Sequence, residues 1–202
     1  MERTIANLSI DGGCLCFDFI NTVHSRREEP GFDYLNTYED FLVWSKKLGI
    51  LPEKETVHLR KLSKQDPEMA MKILANIIQT REAMYTIFSE IHSPGRFNER
   101  AMKRFNAQIN RAFNHLELET KSGNMLLTWS TAANMEAPLW RIMKSSYDIW
   151  TEEDPARIKS CPNCGFIFLD KTKNNGRYWC NMKTCGSQDK ALRYYYRNKR
   201  KT

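Results

Sequence analysis

The stretch CPNCGFIFLDKTKNNGRYWCNMKTCG, residues 161–186, sets Cys161 and Cys164 two residues apart, Cys180 and Cys185 four apart, and the two pairs fifteen apart. Two short loops of this kind let four thiolates bend around a single ion, and the spacing matches a tetrahedral zinc site. Gly165 follows the first pair and can take the backbone angles that such a knuckle demands. Four sulfur ligands close the coordination sphere, so the predicted role of the Zn2+ is structural. About 45 residues supply little core of their own, and the metal is expected to hold the segment together. Between the pairs, FIFLD and RYWC read as a small hairpin across the turn Lys173-Asn174-Asn175-Gly176.

Charge is unevenly divided around this stretch. The chain of 202 residues carries 31 Lys or Arg and 24 Asp or Glu, a net +7. From Arg157 onward there are 12 basic and 2 acidic residues, net +10, which leaves 19 basic and 22 acidic, net −3, in the remainder. Such a distribution points to a polyanion partner for one end alone. After the last cysteine, with Ser187 read as the cap, a helix of 100° per residue would bring Lys190, Arg193, Arg197, Arg200 and Lys201 onto one arc. Ala191, Leu192, Tyr195 and Tyr196 fall opposite and are expected to pack on the FIFLD segment. Tyr194 lies beside the basic stripe, where an aromatic ring can meet a sugar or base. DNA or RNA is the natural polyanion, with phosphate contacts first and Arg193 or Gln188 placed to reach a base edge.

Upstream the periodicity is mostly helical. LSIDGGCLCFDFINTV is apolar and fits either a buried strand or a helical turn. Thr37 and Asp40 form a capping-box pattern before YEDFLVWSKKLG, with Tyr38, Phe41, Leu42, Ser45 and Leu48 on one side and Gly49 as the stop. Pro52 predicts a short helix through Leu62, and Asp66-Pro67 opens a longer one with Met69, Ile73, Ile77, Met84, Phe88 and Ile91 along its stripe. Ser93-Pro94-Gly95 ends it. A helix from Asn98 to Phe113 turns Met102, Phe105, Ile109 and Phe113 inward. HLELETKSGNMLLTWS then alternates as a hairpin turning at Ser122-Gly123-Asn124, and Leu139, Met143, Ser146 and Trp150 mark a last helix before TEEDP. The fold class is therefore α+β: a mostly helical N-terminal domain with a β-hairpin, residues 1–154, followed by a small four-cysteine zinc-finger module, a hairpin plus C-terminal helix, residues 155–202.

Composition excludes other classes. Hydrophobic residues make up 41% and charged residues 27%, ordinary globular values, and no apolar run is long enough for a membrane span. The N-terminus lacks the pattern of a secretory signal, so a cytoplasmic location is expected, where cysteines stay reduced. Cys14 and Cys16, with apolar neighbours, read as small buried residues. His24, His58, His92 and His115 show no shared ligand spacing. There is no nucleotide-binding glycine loop, no GxSxG elbow and no motif-borne pair of acids, which lowers the expectation of an enzyme.

CPNCGFIFLDKTKNNGRYWCNMKTCGSQDK resembles the CGNR zinc finger in its Cys-x-x-Cys-Gly pair, FLD segment, polar turn, Arg-x-Trp-Cys and closing Cys-Gly. LCFDFINT and FDYLNTYEDFLVW look like the ABATE domain that precedes this finger. The resemblance implies a bacterial, stress-related transcription regulator, with Cys161, Cys164, Cys180 and Cys185 as zinc ligands, a DNA-binding finger and an upstream domain that senses a small molecule. Asp18, Asn21, Thr22, Asp33 and Trp44 in the matched region would line the effector pocket, although caps, turns and core filling use the same residue types. Where the family has Asn-Arg after the last Cys-Gly, this chain has Ser187-Gln188. The charge for DNA contact must then come from Lys190 and the stripe after it. One short finger has little reach, so a homodimer is expected if a defined site is read. The alternatives are a zinc module for RNA or a protein partner, and an enzyme or metabolite-binding domain with an accessory finger.

Overall fold

The computed structural model describes residues 3–28, 31–92, 95, 97–130 and 134–199. At its centre the ambiguous stretch after Gly13 is a helix, α1 (Leu15–Ile20), with Cys16, Phe17, Asp18, Phe19 and Ile20 all buried. A helix apolar on nearly every side has to be surrounded. Accordingly α1 packs against three later elements, α4 (Pro67–Ser89), α6 (Ala137–Glu152) and β4 (Ile167–Leu169).

Helix α2 (Tyr38–Lys47) carries the complete capping box: Thr37 accepts from the Asp40 N–H while the Asp40 carboxylate accepts from the Thr37 N–H. Tyr38, Phe41, Leu42 and Ser45 are buried as the period predicts, and Trp44 joins them. Gly49 ends the helix with a φ of 64°. Helices α3 (Glu53–Gln65) and α4 (Pro67–Ser89) follow, the second capped by the Asp66 side chain on the Met69 N–H. The inward stripe of α4 begins at Ala70 and Leu74 before Ile77, Met84 and Phe88, whereas Met69 is 44% exposed. Counting back from Ile77, steps of three and of four both satisfy a 3.6-residue period, and the packing of α4 among its neighbours buries Leu74 and Ala70. The predicted stop at Ser93-Pro94 lies outside the described residues.

Asn98 caps α5 (Glu99–Phe113), which packs on α4 and on α6 (Ala137–Glu152). Phe105 is buried on α5, with Met102 and Ile109 partly buried; Leu139, Met143 and Ser146 are buried on α6. Between them stands the antiparallel pair β1 (Leu116–Lys121) and β2 (Asn124–Trp129), in register Leu118 to Leu127. Ser122 and Gly123 both have positive φ, 51° and 80°, as a two-residue primed turn requires.

The second sheet differs from expectation. Strand β4 (Ile167–Leu169) pairs antiparallel with β3 (Ile158–Ser160), Ile158 opposite Leu169, and not with the RYWC segment. The first cysteine knuckle is thus itself the turn of the hairpin. RYWC is held instead by Asp170, whose carboxylate takes the Arg177 N–H at 2.7 Å. Ile158, Ile167 and Leu169 are buried in the same apolar cluster as α1, α4 and α6. No helix among the described residues is long and apolar enough to cross a membrane.

Candidate metal centre and basic helix

The first knuckle is shaped by its backbone. The Cys161 N–H donates to the Phe166 carbonyl at 2.8 Å and the Gly165 N–H returns to the Cys161 carbonyl at 2.9 Å. Gly165 has a φ of 75°, and a Cβ there would stand 2.8 Å from the Cβ of Arg26. Both the angle and the close approach demand glycine. In the second knuckle the Asn181 side chain accepts from the Lys183 N–H at 2.8 Å, and residues Met182–Gly186 wind as a wide helical turn straight into α7 (Ser187–Lys199). Ser187 is therefore not the cap. Its hydroxyl donates to the Met182 carbonyl, and the capping role falls to Asn181.

These turns converge four sulfurs. All four Sγ atoms lie within 4.8 Å of one another, with Cys164 to Cys180 at 3.5 Å and Cys180 to Cys185 at 3.6 Å. A tetrahedron with zinc–sulfur bonds of about 2.3 Å has edges of about 3.8 Å, so the donor set fits structural zinc. Its electrostatics agree. Hydrogen bonds from Cys164 and then Cys180 pull the Cys161 thiol far below its ordinary range, while the same interactions with Cys161 push Cys164 and Cys180 up. One sulfur ionises at its neighbours' expense, a conflict that a divalent cation removes.

Around the sulfurs lies a second apolar cluster of Val23, Phe166 and Phe168, with Trp179 against it. Val23 belongs to the segment after α1, and the residues on both sides of α1 grip the finger at several points. The Arg26 N–H donates to the Cys164 carbonyl at 2.8 Å, and the Leu169 N–H donates to the Gly12 carbonyl at 2.8 Å. Asn21 gives its Nδ2 to the Ile167 carbonyl at 2.8 Å and receives the Ile167 N–H at 3.1 Å. Arg177 lies over the Phe168 ring, donates to the Asp11 carbonyl at 2.8 Å, and also bonds the Cys180 carbonyl. Asp170 is fully buried; burial opposes its charge, but Lys159 Nζ at 2.6 Å, the Thr172 hydroxyl at 2.6 Å and two backbone N–H groups outweigh it and hold the carboxyl well below the usual carboxylate range. Residue spacing points to the four ligands but not to Asp11, Asn21, Arg26, Asp170 or Arg177. Asn21, Asp170 and Arg177 lie in the FDFINT, FLD and Arg-x-Trp-Cys motifs, which carry no distance information, and Asp11 and Arg26 lie in none of them.

Helix α7 projects from the second knuckle with no buried residue. Leu192, Tyr195 and Tyr196 are 51%, 57% and 59% exposed, so the expected packing on FIFLD is not formed. The main core already covers that hairpin with α1 and α4. Lys190, Arg193 and Arg197 are exposed on one face; Arg193 pairs with Asp189 at 2.8 Å, and Arg197 lies 5.8 Å from the Tyr194 ring centre. Arg200 and Lys201 lie outside the described residues. Gln188 is committed to the first knuckle, its Oε1 accepting from Asn163 Nδ2 at 2.7 Å.

The five upstream candidates are dispersed. Trp44 is fully buried beside Phe41 and Phe19, and Asn21 is used by Ile167. Thr22 and Asp33 meet at Arg81, a buried guanidinium that bonds both Asp33 oxygens at 2.8 and 2.6 Å and the Thr22 hydroxyl at 3.0 Å. Asp18 accepts from the Gly12 N–H at 2.8 Å and edges a cleft shared with Cys14 and Arg141; burial raises its pKa to about 6. Cys16 is fully buried and Cys14 partly so, their sulfurs 3.5 Å apart.

Two family models match the chain. The ABATE model, described as "Putative stress-induced transcription regulator", covers residues 13–153, and the CGNR zinc finger model covers residues 157–198. No curated protein matches it.

Proposed function

This chain belongs to the ABATE family and ends in a CGNR zinc finger, and from that premise we propose that it is a zinc-dependent DNA-binding transcription regulator whose residues 1–154 sense a small ligand and whose residues 155–202 contact DNA. The observation that carries the reading is helix α7: rooted in the cysteine cluster, exposed along its length and basic on one face. Zinc, when bound, cross-links the two knuckles and so fixes the direction in which α7 leaves the protein. Asn181 and the Gln188–Asn163 bond hold the helix start against that cross-link. Lys190, Arg193, Arg197, Arg200 and Lys201 then neutralise phosphates, with Tyr194 beside them. Arg193 is 69% exposed in its ion pair with Asp189, so its guanidinium stays within reach of a phosphate. The activity is binding without turnover, in the cytoplasm, and a homodimer extends the reach of one short helix.

The test is fluorescence anisotropy of the zinc-loaded protein on a mixed-sequence duplex across a salt series. Affinity should fall linearly with log salt, and changing Lys190, Arg193, Arg197 and Arg200 to Ala should flatten the slope by about one for each phosphate no longer neutralised. No binding at low salt removes the DNA reading. Tighter binding to RNA of the same sequence would move the proposal to RNA.

A further inference from the structure

Between α4, α5 and α6 lies a cavity of about 290 Å³ that none of the sequence motifs reaches. Helix α5 contributes Met102, Phe105 and Ile109 to its wall, and Ile87 of α4 closes the inner side. Tyr147, Trp150 and Thr151 of α6 form the opposite wall, and Phe97, 41% exposed, stands at the edge. Among the described residues no charged side chain lines it. Among the described lining residues the one side-chain hydroxyl besides the Tyr147 phenol, that of Thr151, is spent on the carbonyls of Tyr147 and Asp148. A wall of this kind gives water few partners and a charged guest none, while its aromatic rings and Met102 sulfur favour flat apolar guests. The volume lies at the small end of ligand sites, about 300 Å³ and upward.

We infer that this cavity is a binding site for a small, uncharged, aromatic or otherwise hydrophobic molecule. Its location also joins it to the finger, a second step that rests on the regulator reading above. Trp150 stacks on Phe88 of α4, ring centres 4.9 Å apart. Just past the end of α4, His92 Nε2 donates at 2.8 Å to the carbonyl of Ile158, the first residue of β3. On the other side α6 runs through Asp154, which caps the Ala156 N–H, into the same strand. Two of the three helices that border the cavity, α4 and α6, therefore lead into the hairpin that carries Cys161 and Cys164.

The full zinc-loaded chain should be titrated with N-phenyl-1-naphthylamine, an uncharged dye that brightens in apolar surroundings. Saturable enhancement is expected, displaced by naphthalene and about tenfold less well by 2-naphthoate, which adds only a carboxylate. Ile109→Trp, which fills the space, and Phe97→Asp, which charges the rim at an exposed position, should each weaken the dye about tenfold with circular dichroism and zinc content unchanged. If Ile109→Trp does not fold, Phe97→Asp decides. An unsaturable signal, equal affinity in the folded variants, or equal competition by 2-naphthoate overturns the site. With the cavity filled by naphthalene, a change of about threefold or more in DNA affinity supports the link to the finger, and an unchanged affinity overturns the link. A protein that takes up the dye yet never binds DNA overturns the DNA reading and leaves the cavity standing.

Discussion

Asn21 shows how one side chain can join two parts of a chain 146 residues apart. Its amide bonds both the N–H and the C=O of Ile167 while 2% exposed. Asn21→Ala would leave two buried backbone groups unpaired, each costing about 1–3 kcal/mol. Urea unfolding should show a loss of at least about 2 kcal/mol, and a variant within about 0.5 kcal/mol of the parent would refute the role. Asp18 makes an opposite prediction. Its folded pKa, raised to about 6 chiefly by burial, lies above the ordinary carboxylate value of 3.8, so the folded state holds more protons between these values and stability falls as pH rises through that window. Asp18→Asn removes the charge and should flatten that dependence, with a gain of about 1–3 kcal/mol at about pH 7.5. A parallel pair of pH–stability curves would refute it. Neither behaviour is legible in FDFINT, since an Asp on a short helix and an Asn at its end look alike until their surroundings are known.

Among elements, α7 and the finger hairpin differ most. The helix has no buried residue, so its apolar tyrosines and Leu192 contribute little to folding. Ending the chain after Asp189 should leave the thermal midpoint within about 2 °C, because exposed side chains away from caps and cores contribute within about 0.5 kcal/mol. The same truncation should abolish binding to the duplex in the anisotropy assay. A large drop in midpoint would mean that α7 packs on the protein. The basic stripe was readable from helical spacing, since charge position needs only the 100° rotation. Whether its other side was covered was not, because α1 and α4 already occupy the hairpin face it would have needed.

At the scale of the whole molecule the zinc centre and the helical body share material. Ile158, Ile167 and Leu169 sit in the main core, and Val23 from the body sits among the cysteines. Chelation, or Cys161→Ser, is therefore expected to lower the melting temperature of the body as well as to loosen the finger, by about 10 °C or more. Calorimetry with and without a chelator tests this: a body transition unmoved by zinc removal would refute the coupling. The sequence by itself determined the metal ligands, the caps of α2 and α4 and the charge division, though not the cap before α7, because thiol spacing, capping chemistry and net charge depend on residues close together in the chain. Only the tertiary structure decided the partner of β4, the scatter of Asp18, Asn21, Thr22, Asp33 and Trp44, and the cavity between α4, α5 and α6. Those depend on which apolar faces meet across long separations, and several pairings satisfy the same hydrophobic period until packing selects one.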